Sequence, residues 1–299
     1  MTSVFEHVIV PVDGSSTAER GIALALELTA GGGSITFCSV VDPTVLCVPA
    51  AEVGGLDFGP LLTVLDEDAE TFCRDAQAKS DAAGVKSDTI VLHGQCVSVI
   101  EQLVRDNRCD AVVLGTHART GLDRMVLGSV TEGLLRAIDA PIVVAHQDDE
   151  ARTGPVLVAV DDSPAAAAAV KEAIVIAASR GNALALVHVL NPDHPDAAAA
   201  NAALERAAHE ARERGLAVSL MLRRGDPCDE LIAAADALES CMIVMGTHGR
   251  SLVPRLVLGS VAAAVVERAR VPVMTIRRSG RVYRPASVSL AQAVTGIHA

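Results

Sequence analysis

The stretch GTHGRSLVPRLVLGSV, residues 246–261, sets Gly246 and Gly249 three residues apart and follows them with Gly259-Ser260. An earlier stretch, GTHARTGLDRMVLGSV at 115–130, repeats it, with Gly115, Gly128 and Ser129 in place and Ala118 where the second copy has Gly249. Each ends in LGSV and opens a helical pattern. A helix start carries unbonded N–H groups and the positive end of the helix dipole, so it attracts anions. Glycine at 128 and 259 permits close backbone approach or a positive φ. Ser129 and Ser260 fall in the N-cap region, where their hydroxyls can also donate to an oxygen. Gly246 and Gly249 let the strand end turn tightly beneath the phosphates. The pattern is that of a phosphate cradle, without the lysine of the GxxxxGK[ST] loop.

Other reactive types cluster near these loops. Val12-Asp13 and Val160-Asp161 end an apolar run. An Asx turn or a helix cap explains such an aspartate; with the glycine loop opposite, we favour adenine recognition. Asp162 next to Asp161 suggests the acidic pair of a phosphoryl-accepting receiver, but Gly14 holds that place in the first copy. His117 and His248 lie inside the loops and titrate near neutrality. Neither has a nucleophile or an orienting carboxylate nearby in sequence, so backbone contact or packing is the better reading and no catalytic residue is assigned. Arg119 and Arg250, with Arg124 and Arg255 beside them, are either solvated loop charges or phosphate ligands, for which a guanidinium fork is suited. Cys96 and Cys228 each start a helix, a position that lowers a thiol pKa; the plainer reading is a small residue at a helix start.

The elements that must position these residues are written twice. HVIVPVDGSSTAERGIALALEL, from His7, and PVLVAVDDSPAAAAAVKEAIVI, from Pro155, both read as strand, Val-Asp, serine-bearing turn, helix. Asp13 aligns with Asp161, 148 residues later; Gly94, Gly115, Gly128 and Pro141 align with Gly225, Gly246, Gly259 and Pro272, each 131 later. The 17-residue difference lies between the second and third strands, where the first copy carries extra chain around VPAAEVGGLDFGP. So long a period means a duplicated domain. In copy one, strand patterns at 8–12, 35–41, 88–93, 111–115 and 141–146 alternate with helical ones at 16–30, 61–83, 96–107 and 129–139. Copy two has strands at 156–160, 183–189, 217–222, 241–246 and 271–276. Such alternation predicts an α/β fold: two repeated Rossmann-like or flavodoxin-like sandwich domains, each a five-stranded parallel sheet flanked by helices. The domains are expected over 1–149 and 150–279. The tail 280–299 lies outside the repeat, as a frayed extension or a short helix docking on a partner.

In open parallel sheets ligands bind at the carboxyl ends of strands, at the switch point. VDGSS follows strand one and the glycine loop follows strand four, and the latter is long for a connection where two to six residues are usual.

Composition bounds the function. Half the residues are hydrophobic, with no Trp, one Tyr and four Phe, so the cores must be aliphatic, as suits helix-covered parallel sheets. A net charge of −12 without a basic stripe argues against nucleic-acid binding. MTSVFEHVIV lacks the positive region of a secretory signal, and AAAAAVKEAIVIAAS is too short and too interrupted to span a bilayer, so a soluble cytoplasmic protein is expected. Seven scattered cysteines without CxxC read as reduced thiols, with neither a disulfide framework nor a metal site.

Val-Asp-Gly-Ser after strand one, followed by G-x-x-G-x9-G-S, resembles the universal stress protein family, in its tandem ATP-binding form. The resemblance covers roughly residues 5–146 and 155–277. It implies that each half holds ATP, with Mg²⁺ able to accompany the phosphates. Adenine would sit near Asp13 and Val40, and near Asp161 and Val189. Ribose and phosphates would lie on Gly115, Gly128, Ser129 and Val130, and on Gly246, Gly249, Gly259, Ser260 and Val261. The fifth strand would pair the two halves into a pseudo-dimer within one chain, and a homodimer of whole chains is compatible with it. Ala118 departs from the pattern: at a positive φ it costs of the order of 1 kcal/mol, and its methyl crowds the phosphates, so the second half is expected to bind nucleotide more tightly. Function then reads first as a nucleotide-dependent stress switch or scaffold, with hydrolysis at most weak. A slow ATPase or nucleotidyl-transfer enzyme ranks second and a scaffold without nucleotide third. Protein partners are left open.

Overall fold

The computed structural model describes residues 3–46, 59–107, 109–116, 127–146, 152–190, 196–247 and 258–277. The first half runs β1 (His7–Pro11), α1 (Ser16–Thr29), β2 (Ser34–Val41), a 3-10 turn (Pro43–Leu46), α2 (Gly59–Ala82), β3 (Lys86–His93), α3 (Cys96–Asn107), β4 (Ala111–Thr116), α4 (Ser129–Ala137) and β5 (Ile142–His146). The second runs β6 (Val156–Ala159), α5 (Pro164–Arg180), β7 (Leu184–Leu190), α6 (Ala197–Glu213), β8 (Val218–Arg224), α7 (Pro227–Ala237), β9 (Met242–Gly246), α8 (Ser260–Arg268) and β10 (Val273–Ile276). Every expected strand and helix forms, with ends displaced by one or two residues. Val12 and Val160 fall just past their strands, yet their N–H groups still bond the carbonyls of Cys38 and Val187 at 2.8 Å. The extra chain of the first half shows partly as a longer helix, 24 residues in α2 against 17 in α6.

Local chemistry sets the helix starts. Ser15, Ser163 and Asp196 accept from backbone N–H groups of Ala18, Ala166 and Ala199, and Asp226 from those of Cys228 and Asp229, so α1, α5, α6 and α7 each begin on a side-chain cap. Gly181, at φ 72°, supplies the left-handed residue that ends α5.

The ten strands form one sheet in the order β3-β2-β1-β4-β5-β10-β9-β6-β7-β8. Within each half the strands are parallel and ordered as in a Rossmann fold, with the switch between β1 and β4 and between β6 and β9. The halves join where β10 runs antiparallel to β5, pairing Val273 with Val144, Met274 with Val143 and Thr275 with Ile142. Every residue of both strands is buried, so neither is left as an exposed apolar edge.

Successive strand residues point to opposite faces, and each face has its own apolar layer. Val8 and Val10 join Leu28, Phe37, Ile174 and Leu204 beneath α1, α2, α5 and α6. Ile9 joins Ile100, Leu134, Leu231 and Val265 beneath α3, α4, α7 and α8. Both layers draw residues from both halves, so the hydrophobic core crosses the seam.

Two glycines of the repeated loops belong to this packing. A Cβ on Gly115 would lie 1.7 Å from the Thr17 carbonyl oxygen of α1. One on Gly246 would lie 2.8 Å from the Ala165 methyl and 3.0 Å from the Ala166 nitrogen of α5. The turn beneath phosphates expected of Gly246 is therefore corrected: it ends β9 as a strand residue, and its missing side chain admits a helix.

Candidate nucleotide site

In the second half, a cleft of about 270 Å³ opens between the ends of β6 and β9. That is just below the usual range for small-molecule sites, about 300–1,000 Å³. Val160, Asp161 and Val189 line it from the β6 and β7 ends. Gly246, Gly259, Ser260 and Val261 line it from β9 and the first turn of α8. Thus the expected residues of this half that are described converge on one cleft, although they come from four separate stretches. Its wall also includes Val187, Met245 and Thr247, and Pro227 and Leu231 from α7. Thr247 stands beside Gly246 in the GTH triplet and was legible there. Pro227 and Leu231 carry no local signal, because only the packing of α7 brings them in.

Gly259 is the N-cap of α8, at φ −61°, and Gly128 that of α4, at φ −59°. Neither uses the left-handed region, which corrects one of the two reasons given for glycine. Ser260 and Ser129 accordingly stand at the first helical position rather than at the cap. The glycines matter because they bring no side chain: in contrast to α1, α5, α6 and α7, no side chain among the described residues caps α8 or α4. The N–H of Gly259 bonds the Thr247 carbonyl at 2.9 Å, fixing the helix start against the end of β9. The first-turn N–H groups that follow form a preset donor site at the positive end of the helix. A Cβ on Gly128 would have no heavy atom within 4 Å, so the space before α4 is open.

The strand-one aspartates make the Asx turn that was the plainer reading. Asp161 Oδ1 accepts from Ser163 N–H at 2.8 Å; Asp13 Oδ1 accepts from the N–H and the hydroxyl of Ser15 at 3.0 and 2.5 Å. The caps themselves are Ser15 and Ser163. The halves differ one residue on. Gly14, at φ +71°, is covered by the Phe72 ring, which a Cβ there would meet at 2.4 Å. Asp162 instead pairs with Arg206 of α6 at 2.7 Å.

In the first half, Val12 is buried, Val40 is half-buried at the end of β2, and Gly115 lies within β4. Gly128, Ser129 and Val130 form the start of α4, with Val130 exposed. Arg119, Gly249 and Arg250, with His117, Ala118, Arg124, His248 and Arg255, lie outside the described residues, as does the tail 280–299.

The thiols at the two helix starts follow the plainer reading, that of small residues without activation. Burial raises the pKa of Cys96, and the nearby carboxylates of Asp42 and Asp13 add to it. Burial also raises that of Cys228, against the pull of the Arg268 guanidinium, whose Nη1 lies 3.4 Å from Sγ. Asp226, already capping α7, puts a carboxylate where the dipole would have stabilised a thiolate. Both cysteines should therefore alkylate slowly with iodoacetamide at neutral pH and accelerate only as pH passes the ordinary thiol range, about 8.5. Fast labelling of either at pH 7, read by peptide mass spectrometry, would contradict this.

The sequence profile of the universal stress protein family matches residues 5–146 and 153–277. The chain belongs to the universal stress protein family. A universal stress protein of Mycolicibacterium smegmatis is 30% identical over 296 residues, covering 90% of this chain and 96% of the relative. One from Mycobacterium tuberculosis is 29% identical over 225 residues, covering 69% and 75%. The crystal structure of a universal stress protein from Archaeoglobus fulgidus shares the fold, with a TM-score of 0.76 at 22% identity over 92% of this chain and 99% of that one. As a universal stress protein, the chain is a tandem of two such domains. Among its described residues, no helix is long and apolar enough to cross a membrane.

Proposed function

We propose that this universal stress protein binds an adenine nucleotide, ATP foremost, in each half, and uses it as a structural ligand or switch in stress signalling in the cytoplasm. The observation that carries the reading is the glycine-led start of α8, which no side chain among the described residues caps, facing the cleft that Asp161 also lines. The first turn of α8 offers its N–H groups to phosphate. Val160, Val187, Val189 and Leu231 give the apolar walls that a base requires. Asp161, with Oδ1 held by Ser163, has its second oxygen to accept from the adenine amine. The first half repeats this with Asp13, Val40, Gly128, Ser129 and Val130.

Asp161 is the only carboxylate in the cleft lining among the described residues, and it stands at the end that we assign to adenine. Mg²⁺ is thus given no protein ligand and enters only as a companion of the phosphates. No catalytic residue is assigned, and hydrolysis is at most slow. Within the proposal the second half binds more tightly, because Gly249 there is Ala118 in the first.

Two measurements test the reading. Mass spectrometry of small molecules released from freshly purified protein should detect an adenine nucleotide, and calorimetric titration should give two sites per chain. No heat of binding at millimolar ATP would overturn it.

A further inference from the structure

His146 ends β5 and Arg277 follows β10, and they are related by the same 131-residue offset as the glycine loops. Both side chains cross the seam. His146 Nε2 lies 2.5 Å from the carbonyl oxygen of Val266, in the last turn of α8. A carbonyl only accepts, so Nε2 carries the proton. Arg277 Nη1 donates to the carbonyl of Arg136, in the last turn of α4, and its Nε lies 3.9 Å from Asp139 just beyond. Both side chains are well enclosed: His146 is 2% exposed, and the Arg277 side chain 10%.

The last carbonyls of a helix have no partner within it. The N–H of Ala269 takes the Val265 carbonyl and that of Ile138 takes Leu134, whereas Val266 and Arg136 are met from the opposite half. These two helices are the ones whose opposite ends start at Gly259 and Gly128. Each is nine residues, a rod of about 13 Å. A donor gripping one end therefore sets where the N–H groups stand at the other. The backbone of His146 is itself tied to the first half, its carbonyl accepting from Arg20 Nε of α1 at 3.4 Å.

We propose that His146 and Arg277 are positioning residues exchanged between the halves. His146 holds the phosphate-binding helix of the second site, and Arg277 that of the first, so each site is completed across the seam. The assignment of phosphate to these helices rests on the function proposed above; the exchange of grips does not.

The experiment uses the full chain in two single-site backgrounds, Gly128→Asp to leave the second site and Gly259→Asp to leave the first, titrated with ATP. His146→Ala should weaken the second site about fivefold, the scale of one lost hydrogen bond, and leave the first unmoved. Arg277→Ala should do the reverse. His146→Gln, which keeps a donor on a similar reach, should restore the second site. A general loss of stability would weaken both sites together, so the crossed pattern is the diagnostic. Hydrogen exchange in the nucleotide-free protein gives a second arm: His146→Ala should lose protection in α8 and not α4, and Arg277→Ala in α4 and not α8. Equal effects on both helices or sites, or none while the wild type binds ATP, would overturn the proposal. A wild type that binds no ATP would end the nucleotide reading, and with it the role in phosphate binding, while the exchange arm would still decide whether the helices are gripped across the seam.

Discussion

Gly115→Ala is expected to destabilise the protein by about 3 kcal/mol or more, the upper end of what overpacking a core does. Its new methyl would sit 1.7 Å from the Thr17 carbonyl oxygen and 2.4 Å from that carbonyl carbon. Both are backbone atoms, so the clash is relieved only by lifting α1 from β4. Thr17, Ala18, Ile22 and Ala25 on that helix are buried, so lifting it opens the core. Gly246→Ala should cost less, since its closest neighbour is the Ala165 methyl at 2.8 Å. Gly128→Ala should change stability by less than about 1 kcal/mol, because its φ of −59° suits any residue and the space around it is open. Urea midpoints of the three variants check the order. Equal midpoints for Gly115→Ala and Gly128→Ala would show that the first glycine is not a packing residue.

The second large effect runs the other way on stability. Gly259→Asp should lose at least about a hundredfold in ATP affinity at the second site while leaving the protein as stable as before, or slightly more so. Aspartate is a good N-cap and improves on glycine by a few tenths of a kcal/mol. Its carboxylate would take the first-turn N–H groups that we assign to phosphate and place a like charge against it. Two unit charges about 4 Å apart interact by roughly 4 kcal/mol near a protein surface, ample for two orders of magnitude. Calorimetric titration beside a thermal melt separates the two effects. Unchanged stoichiometry and affinity in a folded variant would show that phosphate does not sit at α8.

These variants divide glycines that look alike in sequence. Gly246 and Gly259 belong to one motif, and spacing alone gave both to the ligand. In the fold, Gly246 lines the cleft and also makes room for Ala165 and Ala166, whereas Gly259 starts a helix that no side chain among the described residues caps. The difference lies in what approaches from elsewhere in the chain, which a motif does not contain. Asp161 is a similar case. Its place after the first strand of the half was legible, but its bond to Ser163 N–H shows that one oxygen serves the turn. The raised thiols of Cys96 and Cys228 make the same point: the helix start was read correctly, and burial outweighed it.

By itself, the sequence determined the repeat, the alternation of strand and helix, and the helix starts at Ser15, Ser163, Ser129 and Ser260 to within a residue. Those features are local: continuous aliphatic runs, helical spacing and capping residues act over a few positions. The tertiary structure decided that Gly246 both packs against α5 and lines the cleft, that Pro227 and Leu231 of α7 close its wall, and that His146 and Arg277 reach the ends of helices in the opposite half. It also set β5 against β10 to make one ten-stranded sheet. Each of those contacts joins residues tens to more than a hundred positions apart, and buried apolar area and hydrogen-bond completion, which act only once the chain is folded, choose among them.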